Sequence, residues 1–258
     1  MTRKYWHTPR ELSFPLPLWG IGFGLSLWWL FTSPLWHSNP IVSDFSPERA
    51  FVALGYLFRS GEIIPHILTS CRRVFVGLGL AIAIGVPLGI LVGLSRPLES
   101  ASSALFQFLR MISPLSWMPL AVMVLGIGDL PVYFLLTVAA VWPLVLNTAA
   151  GVTSVDRAWL TLARSLCATR GETIFRVILP AIVSHLLTGI RLAIGIIWIV
   201  LVPAEMLGVS AGLGYYILDT RDRLAYSELM AVILIIGAIG YLLDSGLRLA
   251  HRTWTHQD

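Results

Sequence analysis

Val74-Phe75-Val76-Gly77-Leu78-Gly79-Leu80-Ala81-Ile82-Ala83-Ile84-Gly85-Val86-Pro87-Leu88-Gly89-Ile90-Leu91-Val92-Gly93-Leu94-Ser95 contains no charged side chain. A helix rises about 1.5 Å per residue, and a bilayer core of about 30 Å takes roughly 20 apolar residues to cross. This run is long enough, and with its N-terminal extension the span is expected over residues 66–94.

The rest of the chain repeats the signal. Of its 258 residues 56% are hydrophobic and only 12% charged, with a mean hydropathy of +0.78. A soluble domain carries about 25% charged residues, so this chain has about half the usual solvating surface. A water-soluble globule is excluded, and so is disorder, which needs low hydrophobicity. Further spans are expected over residues 14–36, 101–127, 131–151, 181–206 and 226–248. The expected fold class is therefore all-α, a polytopic membrane protein with six transmembrane helices in a single domain, residues 1–258.

The 14–36 run is a peripheral first helix, and the core helices occupy about 66–248. A cleaved signal peptide is the rival reading of 14–36, but the run is long and no small-residue cleavage site follows Trp36. Residues 46–60 read as a short amphipathic helix with Phe51, Leu54 and Phe58 on one face.

Arginine placement gives the orientation. With the N-terminus in the cytoplasm, the inner segments carry Arg3, Lys4, Arg10, Arg96, Arg157, Arg164, Arg170, Arg176, Arg248 and Arg252. The outer segments carry only Arg49, Arg59, Arg221 and Arg223. Both termini are thus expected in the cytoplasm, and the pI near 9.4 is positive-inside bias rather than a nucleic-acid footprint. Lys4 is the single lysine and has no glycine-rich turn beside it, so no P-loop is present and any ATP-driven step belongs to a partner. Cys71 and Cys167 lie far apart and suggest neither a disulfide scaffold nor a zinc site.

Residues 152–180 are too polar to span. Trp159, Leu162 and Leu166 recur at helical spacing, and Ile174, Phe175 and Ile178 repeat the pattern before Pro180. Such faces either dock a partner or lie flat on the bilayer or on the protein's own bundle.

The stretch Thr161-Leu162-Ala163-Arg164-Ser165-Leu166-Cys167-Ala168, with Val177-Ile178-Leu179-Pro180 beyond it, resembles the coupling-loop signature of binding-protein-dependent ABC importer permeases. That signature reads Glu-Ala-Ala, three residues, Gly, nine residues, Ile-x-Leu-Pro. The spacing is kept, while Thr161 stands at the glutamate and Cys167 at the glycine. The resemblance runs from about Phe45 to Trp254. It includes Arg73-Val74, Gly85-Val86-Pro87-Leu88-Gly89, Ser113-Pro114-Leu115-Ser116-Trp117-Met118-Pro119-Leu120 and Trp142-Pro143 with Asn147-Thr148. Gly189-Ile190-Arg191-Leu192-Ala193, Ala204-Glu205-Met206 and Gly212-Leu213-Gly214-Tyr215 complete it. The chain is similar to the nitrate/sulfonate/taurine/bicarbonate branch.

The resemblance implies the type I importer fold and a transport role with no catalytic residues. It implies a second permease copy, by default a homodimer, ABC ATPase subunits that hold the ATP and Mg, and a periplasmic or lipid-anchored substrate-binding protein. It also implies a place in the bacterial inner membrane and a small-anion cargo, with nitrate or bicarbonate ahead of taurine or another sulfonate. A passive anion channel is the alternative from another class. An intramembrane enzyme has no constellation to support it.

Candidate pathway or gate residues are suggested by the cost of polar groups in a bilayer. Arg191 near mid-membrane could draw an anion inward, or pair with a carboxylate of a neighbouring helix. Arg110 could snorkel toward the cytoplasmic interface. Glu205, followed by Met206 at the outer end of the fifth span, suits a gate or helix packing. Trp117 and Trp142 suit packing or pathway lining. Ser113 and Ser116 flank Pro114 where a helix could open, and Asn147 could cap or bridge helices.

Overall fold

In the computed structural model, the described residues are 16–33 and 40–255. They form α1 (Leu16–Thr32), α2 (Pro40–Asp44), α3 (Pro47–Ser60), α4 (Ile63–Leu94), α5 (Arg96–Met111), a 3-10 turn (Pro114–Trp117) and α6 (Met118–Leu125). Beyond these come α7 (Asp129–Ser154), α8 (Arg157–Ser165), α9 (Arg170–Thr173), a π turn (Ile174–Ile178), α10 (Leu179–Ala181), α11 (Val183–Glu205), α12 (Leu213–Asp222) and α13 (Tyr226–Thr255). The all-α expectation holds.

Four helices, α4, α7, α11 and α13, are long and apolar enough to cross a membrane. The segment expected as one third span, 101–127, is instead two pieces bent by 83°, α5 and the 3-10/α6 pair, which would make a fifth crossing if counted together. Pro114 causes the break. It lacks an N–H and disfavours helix in the residue before it, and Ile112 and Ser113 are accordingly extended, with ψ of 124° and 126°. α1 is described over 17 residues, and the ends of the expected 14–36 span, including Trp36, lie outside the described residues. So do Arg3, Lys4 and Arg10, on which the orientation of the N-terminus rests.

The core is built on α4 against α7, with α11 packed on α7 and also touching α4. Four glycines of α4, Gly77, Gly85, Gly89 and Gly93, fall on one side at four- and eight-residue intervals, where small residues let helix backbones approach closely. At Gly89 a Cβ would lie 2.5 Å from Thr148 Cβ and 2.8 Å from the Val145 carbonyl oxygen, so only glycine fits. Gly77, Gly85 and Gly93 meet Leu136, Leu144 and Val152 in the same way. Leu135, Leu136, Leu144, Ile197 and Leu201 are wholly buried in this seam.

α3 corrects the face expected for 46–60. Its buried side is Pro47, Ala50 and Leu57, packed toward α13, while Phe51 and Phe58 are about half exposed. Small Ala50 admits the close contact, and the aromatic residues are left at the periphery. Gly61, in the left-handed conformation at φ 75°, ends the helix and turns the chain into α4.

Candidate functional site

Two structures at opposite ends of the bundle are candidates for function. The first is the 155–182 connection. Asp156 caps α8 by accepting from the Ala158 N–H at 2.9 Å. α8 closes with a Schellman motif: the Ala168 N–H donates to the Ala163 carbonyl and the Cys167 N–H to that of Arg164, each at 3.0 Å. That closure requires a left-handed residue at position 167, and Cys167 has φ +52°. The family's glycine thus has a backbone reason, and cysteine occupies the position against its steric preference.

Thr169 then opens α9 with a reciprocal capping box with Glu172. Hydrogen bonds from the Thr169 backbone N–H and hydroxyl hold the Glu172 carboxyl below the usual range. The next element, the π turn, is closed by the Leu179 N–H on the Ile174 carbonyl, immediately before Pro180.

The connection divides its apolar residues. Ile178 and Ile182 form a small core with Ile90 and Val152, covered by Leu160, Ile174 and Leu179. Ala163 is buried as well. Trp159, Leu162, Leu166 and Phe175 point away, with exposures of 61%, 49%, 73% and 72%. One face of the loop therefore lies on the protein's own bundle, and the other has no partner within the described chain. The expected triplet Ile174, Phe175, Ile178 is split, with only Phe175 outward. Thr161, Arg164, Cys167 and Pro180 are exposed, and Ala168, Val177 and Leu179 half-buried. Leu91, Leu94, Leu160, Arg164, Arg170 and Ile174 wall a groove of about 570 Å³ beside α8.

At the other end, the N-termini of α4, α7 and α12 meet the C-terminus of α11 around Arg73. Its Nη1 donates to Glu205 Oε1 at 2.7 Å and to the Ala211 carbonyl at 2.6 Å. Its Nε and Nη2 reach Asp129 Oδ1 at 3.0 and 2.6 Å. Ser70 Oγ lies 2.8 Å from both Glu205 oxygens, and the Gly214 N–H donates to Oε2 at 2.9 Å. The Leu213 N–H donates to Ser70 Oγ and the Gly212 N–H to His66 Nδ1. Arg72 also pairs with Asp129. Arg73 is 2% and Glu205 0% exposed, so the centre of this ionic staple is desolvated while Asp129 and Arg72 form its exposed rim, and the whole joins four elements. Of the two readings of Glu205, the helix-packing one describes these contacts. Sequence reasoning missed Arg73, Ser70 and Asp129; the signal was the rarity of charge, since these few groups all fall at the same end of otherwise apolar helices.

The other candidates scatter. Arg191 Nε donates to Asp244 Oδ1 of α13 at 3.0 Å, the carboxylate pairing weighed for it. Arg110 is exposed in the last turn of α5; because the third segment breaks after it, it lies at the bend rather than toward the start of one continuous helix. Ser113 and Ser116 are exposed at that break. Trp117 and Trp142 pack half-buried on the main core, Trp142 against Phe106 at 5.7 Å. Asn147 donates to the Pro143 carbonyl at 2.8 Å, within its own helix. Met206 is half-buried beyond α11.

Several apolar crossing helices, a broken segment and a projecting two-faced connection define a multi-pass membrane protein. The chain belongs to the family of binding-protein-dependent transport system inner membrane components, whose model it matches over residues 85–253. It is 37% identical over 237 residues to the bicarbonate transport system permease protein CmpB of Synechococcus elongatus, covering 89% of this chain and 85% of that one. It is 35% identical to the nitrate import permease protein NrtB of Synechocystis, over 69% of this chain and 65% of the other. To the taurine transport system permease protein TauC of Escherichia coli it is 30% identical, over 98% and 93%. Its fold is similar to that of the MetNI methionine ABC transporter in an inward-facing conformation, with a TM-score of 0.64 at 19% identity, over 74% of this chain and 95% of that one.

Proposed function

We propose that this chain is the transmembrane subunit of an ATP-driven, binding-protein-dependent importer of a small inorganic anion, bicarbonate or nitrate. The observation that carries the coupling role is the unpartnered apolar face of Trp159, Leu162, Leu166 and Phe175, held on a connection whose inner face is fixed to the bundle. ATPase subunits dock there, and their closure on ATP moves α8 and α9. The movement passes through Ile178 and Ile182 into α4, α7 and α11, biasing the bundle between inward- and outward-facing states.

ATP and Mg are held by the ATPases, and this chain performs no chemistry. Two copies enclose the pathway, a periplasmic or lipid-anchored binding protein delivers the anion to the Arg73 end, and both termini face the cytoplasm of a bacterial inner membrane. α1 and the bent α5–α6 segment bring the crossings to six. The relatedness to CmpB and NrtB supports an oxyanion cargo; the near full-length likeness to TauC makes a sulfonate the second reading.

The test is purification of the tagged chain in mild detergent from its own cell. Co-purification of an ABC ATPase at near-equal stoichiometry is expected, and the accompanying binding protein is then titrated with bicarbonate, nitrate and taurine. Leu166→Asp is expected to abolish ATPase association with membrane insertion intact. A chain that emerges alone even after crosslinking refutes the importer and favours a passive channel.

A further inference from the structure

Along two of the crossing helices the protomer carries an exposed polar stripe. On α11 the exposed face carries Ser184, Thr188, Arg191 and Gly195 at helical spacing, together with apolar Leu192 and Ile199. Next to it, α13 presents Asp244 and Arg248. Asp244 Oδ1 accepts from Arg191 at 3.0 Å, and Oδ2 lies 3.2 Å from Arg248 Nη2, which also donates to Ser245 Oγ. The three side chains are 46%, 42% and 39% exposed. Two guanidiniums share one carboxylate, leaving one net positive charge.

Arg191 lies eight residues from the start of α11 and fourteen from Glu205, about 12 and 21 Å along the axis. An ionic cluster this open is costly against hydrocarbon, and such groups face a bundle interior or water. The Arg73 staple differs: Arg73 and Glu205 are buried, and its two guanidiniums, Arg72 and Arg73, are matched by two carboxylates, Asp129 and Glu205. We propose that the Ser184–Thr188–Arg191–Gly195 stripe, with Asp244 and Arg248, lines the water-filled pathway and forms a weak transit site for the anion; this rests on the importer reading. Asp244 holds Arg191 in place and offsets part of its charge, so an anion is attracted without being trapped.

The experiment uses the full chain in its complex, in nanodiscs open on both sides, with Cys71 and Cys167 replaced by alanine. Thr188→Cys is reacted with an anionic (sulfonatoethyl) and a cationic (trimethylammonium-ethyl) methanethiosulfonate, each rate divided by that for a free thiol. A preference for the anionic reagent of about tenfold is expected. It should be lost on adding Arg191→Gln and kept with Arg191→Lys. An unreactive Thr188→Cys, or a preference unaltered by Arg191→Gln, overturns the proposal. Labelling needs neither turnover nor a known cargo. A complex that imports an anion yet shows no preference therefore removes only the stripe. A preference in a complex that imports no anion keeps the stripe and removes the importer reading.

Discussion

Replacing Glu205 by glutamine tests whether the ionic staple holds the Arg73 end of the bundle together. The side chain keeps its shape but loses its charge and turns one oxygen into an NH2. Oε1 faces Arg73 Nη1 and Oε2 faces the Gly214 N–H, both obligate donors. Whichever way the amide is flipped, a donor meets a donor; Ser70 can rotate to accept, but Arg73 and Gly214 cannot. At zero exposure no water can repair the clash. Breaking a buried ion pair costs about 3–5 kcal/mol, and because Arg73 keeps Asp129, the lower end, about 3 kcal/mol, is expected. The assay is reversible unfolding of the purified chain in mixed micelles, in a double-mutant cycle with Arg73→Gln. A coupling of about 1–3 kcal/mol is expected between the two sites. A Glu205→Gln chain within about 0.5 kcal/mol of the parent, or additive single variants, would refute the account.

Three further outcomes are expected from the same geometry. Cys167→Gly should stabilise the α8 terminus by about 1 kcal/mol by relieving a left-handed non-glycine residue, read as slower amide exchange at residues 166–168, whereas Cys167→Val should speed it. Gly89→Val should abolish accumulation of folded chain, since its Cβ meets Thr148 and the Val145 carbonyl, while Gly79→Val, with nothing within 4 Å, should be tolerated; size-exclusion profiles in detergent separate the two. The depressed Glu172 carboxyl makes the α9 cap pH-dependent: its contribution is full above the ordinary carboxylate range and is lost as pH falls through the lowered value, so exchange at residues 169–173 should accelerate only in acid, and Glu172→Gln should remove that dependence.

The coupling loop shows how far spacing alone can reach. Period and polarity placed a short amphipathic helix at Trp159, Leu162 and Leu166, and the structure leaves that face exposed. The same period grouped Ile174, Phe175 and Ile178, which the π turn before Pro180 separates, because one extra residue in the turn rotates Phe175 away from its neighbours. Ala163 shows the complementary limit. Its position beside Leu162 in the signature suggested a docking residue, yet it is buried on the bundle, so Ala163→Asp would disturb folding and Leu166→Asp only the docking face.

By itself, the sequence determined the features that composition and local chemistry dictate. Uncharged runs of bilayer length make crossing helices, and the two-faced connection follows from its helical period, whereas the break at Pro114 within the expected 101–127 span emerged only in the structure. Only the tertiary structure decided which rare charges meet. Arg73, Asp129 and Glu205 are separated by 56 and 132 positions from first to second and first to third, and Arg191 reaches Asp244 across 53. Such pairings depend on helix register and rotation, which the glycine seam of α4 against α7 sets through contacts that no local window contains. A charge in an apolar span announces that a partner is needed, and packing selects the partner.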